Sequence, residues 1–246
     1  MNTTLSIVIP VFNEQESIRP LLREVSAAVT PIQPFEIVCV DDHSKDATLQ
    51  VLRAERPSLP SLRILHHPAR AGQSAAIRNG VKAAHGPWIV TLDGDGQNDP
   101  IDIPKLLAVR DAADPAVKLF AGWRIDRCDS LSKRWGSRWA NRIRARLLHD
   151  ETPDTGCGIK LFDREAFLDL PYFDHMHRYL PALFQRAGWK TVSVPVGHRP
   201  RVAGQSKYNN TSRAIAGISD LCGVAWLRRR SSSINVVEIS RPIHSR

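Results

Sequence analysis

The chain has 246 residues, 42% of them hydrophobic, enough to build a real core in one large or two small folded units, which excludes disorder as its main state. Its formal charge of +9 is unevenly spread: residues 124–146 carry +6 and residues 199–246 carry +7, leaving −4 elsewhere. Such regional basicity points to a polyanionic partner: a phosphorylated substrate, an anionic membrane or nucleic acid.

In chain order, apolar runs rich in Val and Ile predict strands at Leu5–Val11, Glu36–Val40, Leu62–Leu65 and Trp88–Leu92. Helical segments are expected between them at Glu14–Val29, Lys45–Glu55 and Ala71–His85, with Ser44 or Asp46 capping the second. This alternation predicts an α/β fold with a mainly parallel sheet flanked by helices on both faces. The order then breaks. After Ile101–Asp111 and a strand at Val117–Ala121 comes the basic segment, where Leu131, Trp135, Trp139 and Ile143 suit one face of a long helix. A strand around Ile159–Phe162, a helix around Arg178–Ala187 and a strand at Thr191–Val196 follow. Last, Ile215, Ile218, Leu221/Cys222 and Ala225/Trp226 recur at helical spacing and end at Arg228-Arg229-Arg230. That helix is expected either to pack on its own domain or to lie in a membrane interface.

The N-terminus lacks a basic segment followed by an apolar run, so no signal peptide is expected. The longest apolar stretch, Ala214–Leu227, contains Asp220 and falls short of the roughly 20 residues that span a bilayer. The four cysteines, Cys39, Cys128, Cys157 and Cys222, form no C-x-x-C pair, which argues against a zinc site or a disulfide framework and suits a reducing cytosol.

In open parallel sheets ligands collect at the carboxyl ends of strands, and three polar clusters fall there: Pro10–Glu14, Asp41–Ser44 and Asp93–Gln97. In the last, Asp93, Asp95 and Asp99 crowd one turn. A divalent cation would turn their mutual repulsion into attraction. The stretches VIPVFNEQESI, IVCVDDHSKDAT and IVTLDGDGQNDP resemble the family 2 inverting glycosyltransferases, which have the nucleotide-sugar-binding A-type fold. DTGCGIKLF, MHRYLPALFQRAG and HRPRVAGQSKY extend the resemblance to the polyprenyl-phosphate glycosyltransferases, including dolichyl-phosphate mannose synthases, over about residues 4–208.

The resemblance implies that Pro10, Phe12 and Glu14 line a nucleotide base pocket and that Asp42 reaches the nucleoside. It places Asp95 and Gln97 as ligands of Mg²⁺ or Mn²⁺ and Asp93 on the donor side, with Gly94 allowing close approach of the sugar nucleotide. Arg124 would bind phosphate, Arg134 and Ser137 the acceptor phosphate, and Arg201 with Lys207 would lie in a loop closing over the diphosphate. Asp154 falls near the position of the family's general base. A phosphomonoester with a second pKa of about 6 needs no base, so Asp154 is also a candidate for orienting a sugar hydroxyl. His66, His67, His177 and His198 are better read as hydrogen-bonded structural residues than as metal ligands.

The expected function is transfer of a sugar, with inversion, from a nucleotide-sugar donor to a polyprenyl phosphate such as dolichyl or undecaprenyl phosphate. The expected organisation is a catalytic domain at residues 1–210 followed by an amphipathic basic helix and polar tail at 211–246. The resemblance also implies peripheral attachment to an anionic membrane surface on the cytoplasmic side, or a separate transmembrane subunit. Two other functions compete with this one. A haloacid-dehalogenase-type phosphohydrolase has a similar acidic turn but expects Thr or Val where this chain has Gln97. A nucleic-acid binder accounts for the charge but leaves the acidic strand ends unexplained, so nucleic acid is not the expected partner.

Overall fold

The computed structural model describes residues 3–32, 34–125, 144, 146–148, 152–200 and 210–230. Seven strands, β1 (Leu5–Val11), β2 (Phe35–Asp41), β3 (Leu62–His66), β4 (Trp88–Thr91), β5 (Val117–Arg124), β6 (Lys160–Asp163) and β7 (Lys190–Val196), form one sheet in the order β3-β2-β1-β4-β6-β5-β7. All neighbours are parallel except β6, which runs antiparallel to both β4 and β5. Among the described residues the helices include α1 (Ile18–Val29), α2 (Thr48–Glu55), α3 (Gln73–Ala83), α4 (Ile103–Asp111), α5 (Arg164–Leu168), α6 (Leu180–Arg186) and α7 (Asn210–Arg229).

Strand β1 shows why the parallel strands read as unbroken apolar runs. Ile7 and Ile9 enter a core with Leu21, Leu22 and Leu106 on one face, while Val8 enters a second core with Ile77 and Val81 on the other. A strand covered on both faces needs apolar residues at every position rather than at alternate ones. The second core extends through Phe162, Phe167 and Phe184, with Phe162 and Phe167 stacked at 4.8 Å.

The structure shifts some expected boundaries. α1 begins at Ile18 and α2 at Thr48, because the residues before them are spent on turns at the sheet edge. Asp46 supports the start of α2 by accepting from the Thr48 N–H at 2.9 Å, whereas the Ser44 hydroxyl accepts from Asn13 N–H at 2.9 Å and ties the β1 turn to the β2 turn. β5 runs three residues further than expected and so carries Arg124. The helix expected at Arg178–Ala187 divides into a 3₁₀ turn, Met176–Arg178, and α6, whose start is marked by Pro181.

α7 packs on α6 through Val224, fully buried, with Leu221 and Ala225 beside it. Asp220 accepts from or pairs with His175 Nδ1 at 3.0 Å, Tyr179 O–H donates to the Gly217 carbonyl at 3.2 Å, and Arg186 donates to the Leu227 carbonyl at 2.9 Å. The helix is thus pinned to the domain on one side. Its other side leaves Ile218, Cys222 and Trp226 in solvent, so Ala225 belongs to the buried face and not to the stripe shared by Ile218 and Cys222. Among the described residues no helix is long and apolar enough to cross a membrane.

Candidate active site

Because β1, β2 and β4 are parallel, their carboxyl ends deliver Pro10–Glu14, Asp41–Ser44 and Asp93–Gln97 to one edge of the sheet. Side chains then stitch these turns together. The Ser17 hydroxyl lies 2.9 Å from the Gly94 carbonyl and 3.0 Å from Glu14 Oε2, joining the first turn to the third. Gly94 permits this approach: a Cβ there would sit 2.8 Å from Val11 Cγ1 and 3.1 Å from the Pro10 carbonyl. Phe12 is half-buried, with the Arg70 guanidinium 4.1 Å above its ring centroid, giving a flat cationic and aromatic platform suited to a nucleobase.

Asp42 is buried and already committed. Its Oδ1 meets His67 Nδ1 at 2.8 Å and the Ala71 N–H at 2.8 Å, and its Oδ2 accepts from the Gly72 N–H at 2.9 Å. Burial would raise this carboxyl, but the His67 and backbone bonds outweigh it and hold Asp42 below the usual carboxylate range. Its visible task is to shape the loop that starts α3. That loop delivers Gln73, whose amide donates to Asp93 Oδ1 at 2.8 Å, so the β2 turn positions the β4 turn through one helix end.

A cavity of about 540 Å³ opens beside Asp93, lined by Pro10, Gln73, Arg124, Asp154, Lys160 and Arg178 among others. On its far wall Arg124 grips Asp154 in a forked pair, Nε to Oδ2 at 2.6 Å and Nη2 to Oδ1 at 2.9 Å. Asp154 also accepts from the Gly156 N–H, and Arg144 buttresses the same turn by donating to the Thr152 carbonyl at 2.6 Å and to the Thr155 hydroxyl. The fork fixes where the Arg124 guanidinium points and occupies both oxygens of Asp154. Arg146, in the basic segment, is exposed. Arg134, Ser137, Arg201 and Lys207 lie outside the described residues.

Asp95 Oδ1 accepts from the Gln97 N–H at 3.1 Å, closing the turn that follows β4. Among the described residues no three His, Cys, Asp or Glu side chains gather into a metal cage. One carboxylate and one amide oxygen fit a hard cation that completes its shell with substrate phosphate and water, the manner in which Mg²⁺ is usually held.

Burial, and after it the neighbouring Asp95 carboxylate, push Asp93 up to about 6, against the opposing pull of Lys160, Arg124 and the Gln73 bond. The metal-free fold therefore loses stability as pH rises from about 4, where an unfolded carboxyl ionises, to about 6, and carries the full cost of the Asp93 charge above that. Asp93→Asn should raise the melting temperature by a few degrees at pH 8 in chelator, and the gain should shrink as pH falls below 6 and be lost near pH 4, where the unfolded carboxyl is protonated as well. The same variant should lose transfer activity. A gain that persists unchanged at pH 4 would contradict the assignment.

The profile of glycosyl transferase family 2 matches residues 6–170, well over half the chain. The chain belongs to glycosyl transferase family 2. Among family relatives it is 36% identical over 237 residues to the dodecaprenyl-phosphate galacturonate synthase of Rhizobium johnstonii, covering 92% of this chain and 67% of that one. It is 34% identical over 207 residues to the undecaprenyl-phosphate 4-deoxy-4-formamido-L-arabinose transferase of Edwardsiella ictaluri, covering 83% and 62%. The chain thus spans about three fifths to two thirds of the length of these relatives. The fold matches glucosyl-3-phosphoglycerate synthase from Mycobacterium tuberculosis, solved with Mg²⁺ and uridine diphosphate, at TM-score 0.68 and 19% identity over 92% of this chain and 79% of that one. It also matches a mannosyltransferase from Pyrobaculum calidifontis, solved with GDP-Man and Mn²⁺, at TM-score 0.63 and 20% identity over 84% and 59%. These likenesses establish the A-type glycosyltransferase fold.

Within this family 2 glycosyltransferase the structure adds cavity residues that residue-by-residue reading did not single out: Gln73, Lys160 and Arg178. The MHRYLPAL stretch was visible as a motif, but nothing in it announced that Arg178 faces the cavity. His66, His67 and His177 are hydrogen-bonded as expected, to Asp41, Asp42 and Ser74.

Proposed function

We propose that this chain transfers a sugar from a nucleotide-sugar donor to a polyprenyl phosphate, with inversion, at the cytoplasmic face of a membrane. The observation that carries the acceptor class is the Arg124–Asp154 fork. A neutral hydroxyl acceptor would need a base to take its proton, and the acid on that wall is held at both oxygens by a guanidinium. A phosphomonoester arrives largely deprotonated at neutral pH, with a second pKa of about 6, and needs no such base. The similarity to polyprenyl-phosphate sugar transferases supports the same acceptor.

In this reading Phe12 and Arg70 hold the base, while Gln73 and Asp93 fix the donor side of the cavity. Asp95 and Gln97 would hold Mg²⁺ or Mn²⁺, which when bound neutralises charge developing on the diphosphate. An acceptor phosphate oxygen attacks the anomeric carbon from the side opposite the diphosphate, and the carbon–oxygen bond to the diphosphate breaks with its electron pair leaving on that group. Arg124, aimed by Asp154, supplies fixed positive charge at the wall where the two phosphates meet.

The exposed side of α7 supports membrane contact: Ile218, Cys222 and Trp226 stand one helical turn apart beside Arg229 and Arg230. A radiolabelled panel of nucleotide sugars incubated with undecaprenyl phosphate and Mn²⁺ should place label in the lipid fraction. The protein should also co-sediment with anionic vesicles and be released by salt, each surface arginine contributing about 1 kcal/mol. Label that never enters lipid with any donor would overturn the acceptor assignment.

A further inference from the structure

The turn that brings Arg178 to the cavity begins at His175, whose φ of 64° lies in the left-handed region that residues other than glycine seldom adopt. Such a backbone persists only where its surroundings over-determine it. Here contacts come from two directions. Within the turn, the His175 N–H donates to Asp174 Oδ1 at 2.8 Å and the His175 carbonyl accepts from the Arg178 N–H at 3.0 Å. Outward, the imidazole reaches α7: Nδ1 lies 3.0 Å from Asp220 Oδ2, 45 residues further along the chain, and Nε2 stands 3.6 Å from Asp174 Oδ2. The Tyr179 hydroxyl, donating to the Gly217 carbonyl, adds a second tie to the same helix.

Inward, the turn is fastened to α3. His177 Nδ1 lies 2.7 Å from the Ser74 hydroxyl, and Ser74 follows Gln73, whose amide donates to Asp93. His177 and Arg178 both line the cavity. A single 3₁₀ turn, with hydrogen-bond geometry poorer than that of an α-helix, does little by itself to fix Arg178. The contacts on either side of it do. Packing of α7 on the domain is met by Leu221, Val224 and Ala225. Asp220 adds something packing does not need: a directional bond from the helix to the first residue of the turn.

We propose that His175 is a positioning residue: held by Asp220, it sets the turn that presents Arg178 to the cavity, which makes α7 a working part of the transferase. The inference rests on the reading of the chain as a nucleotide-sugar transferase.

The test measures transfer from a radiolabelled uridine or guanosine diphosphate sugar that the wild type accepts to a short-chain polyprenyl phosphate, with Mn²⁺ present, and follows thermal melting in parallel. His175→Gly removes the ring and leaves the left-handed backbone relaxed. It is expected to melt within a few degrees of the wild type and to lose roughly tenfold or more in kcat/KM, because small displacements at a reacting site are costly. Asp220→Ala should lose about as much. Asp220→Asn, whose amide oxygen can still accept from Nδ1–H, should keep most of the activity. The deciding readout is a double-mutant cycle with Arg178→Met. If His175 acts through Arg178, His175→Gly should cost less than about twofold more in that background. A loss as large there as in the wild type would assign His175 to the fold alone and overturn the inference, and so would wild-type transfer by His175→Gly; either result leaves the transferase reading standing. If His175→Gly does not fold, Asp220→Ala carries the same test in the same background. Failure of the wild type to transfer any donor would overturn both readings together.

Discussion

Asp95→Asn is expected to lower sugar transfer by two to three orders of magnitude while leaving the protein folded. The amide is the same size as the carboxylate and its oxygen can still accept from the Gln97 N–H, so the turn keeps its shape. What is lost is one negative charge facing the cation and, through it, the stabilisation of the departing diphosphate. Removal of a single well-placed transition-state stabiliser costs about 3–4 kcal/mol, a few hundredfold in rate. The variant should also relieve Asp93, because Asp95 is one of the two influences that raise it to about 6. Kinetics across a Mn²⁺ titration, with donor affinity measured in parallel, separate the effects: donor binding should become weaker and much less metal-dependent. Transfer near the wild-type rate would remove Asp95 from the metal site.

Gly158→Ala should be nearly as damaging by a different route. A Cβ at this position would fall 2.2 Å from Asp93 Oδ2 and 2.5 Å from Asn98 Oδ1. Asn98 has little room to yield, so the Asp93 carboxylate, which faces the cavity, must move. Asn98 is buried and its Oδ1 accepts from the Asp93 N–H at 3.3 Å, while the Gly158 carbonyl accepts from the Thr91 hydroxyl at 2.9 Å. The methyl must therefore displace the Asp93 carboxylate from its place beside Gln73. Forcing an extra carbon into a packed site costs about 1–3 kcal/mol, and displacing a group at the reacting centre by about 1 Å can cost a hundredfold in rate. Thermal melting and transfer assays should both fall. Unchanged activity would show that Asp93 need not occupy this position.

The polar strand ends were readable because each follows directly on an apolar run, so Asp42, Asp93 and Asp95 are placed at the sheet edge by local order alone. Contacts formed across the chain were not. The Arg124–Asp154 fork joins residues 30 apart, Gln73 meets Asp93 across 20, and His67 meets Asp42 across 25. Lys160 looked like an ordinary charge in DTGCGIKLF because only the antiparallel insertion of β6 between β4 and β5 turns it into the cavity. The face of α7 was half legible: its spacing gave the stripe, but a helix with apolar residues on two sides does not reveal which side the domain covers until Val224 is seen buried and Trp226 exposed.

The central claim is an in-line displacement by a lipid phosphate oxygen, and the anomeric configuration of the product tests it most directly. The purified protein, Mn²⁺, an accepted nucleotide sugar and a short-chain polyprenyl phosphate are incubated, and the product is analysed by mass spectrometry and by the proton and phosphorus couplings at the anomeric centre. The account predicts a polyprenyl phosphodiester bearing one sugar, its anomeric configuration opposite to that in the donor. A phosphodiester with the donor's configuration retained, or free sugar released to water in place of a lipid product, would contradict it.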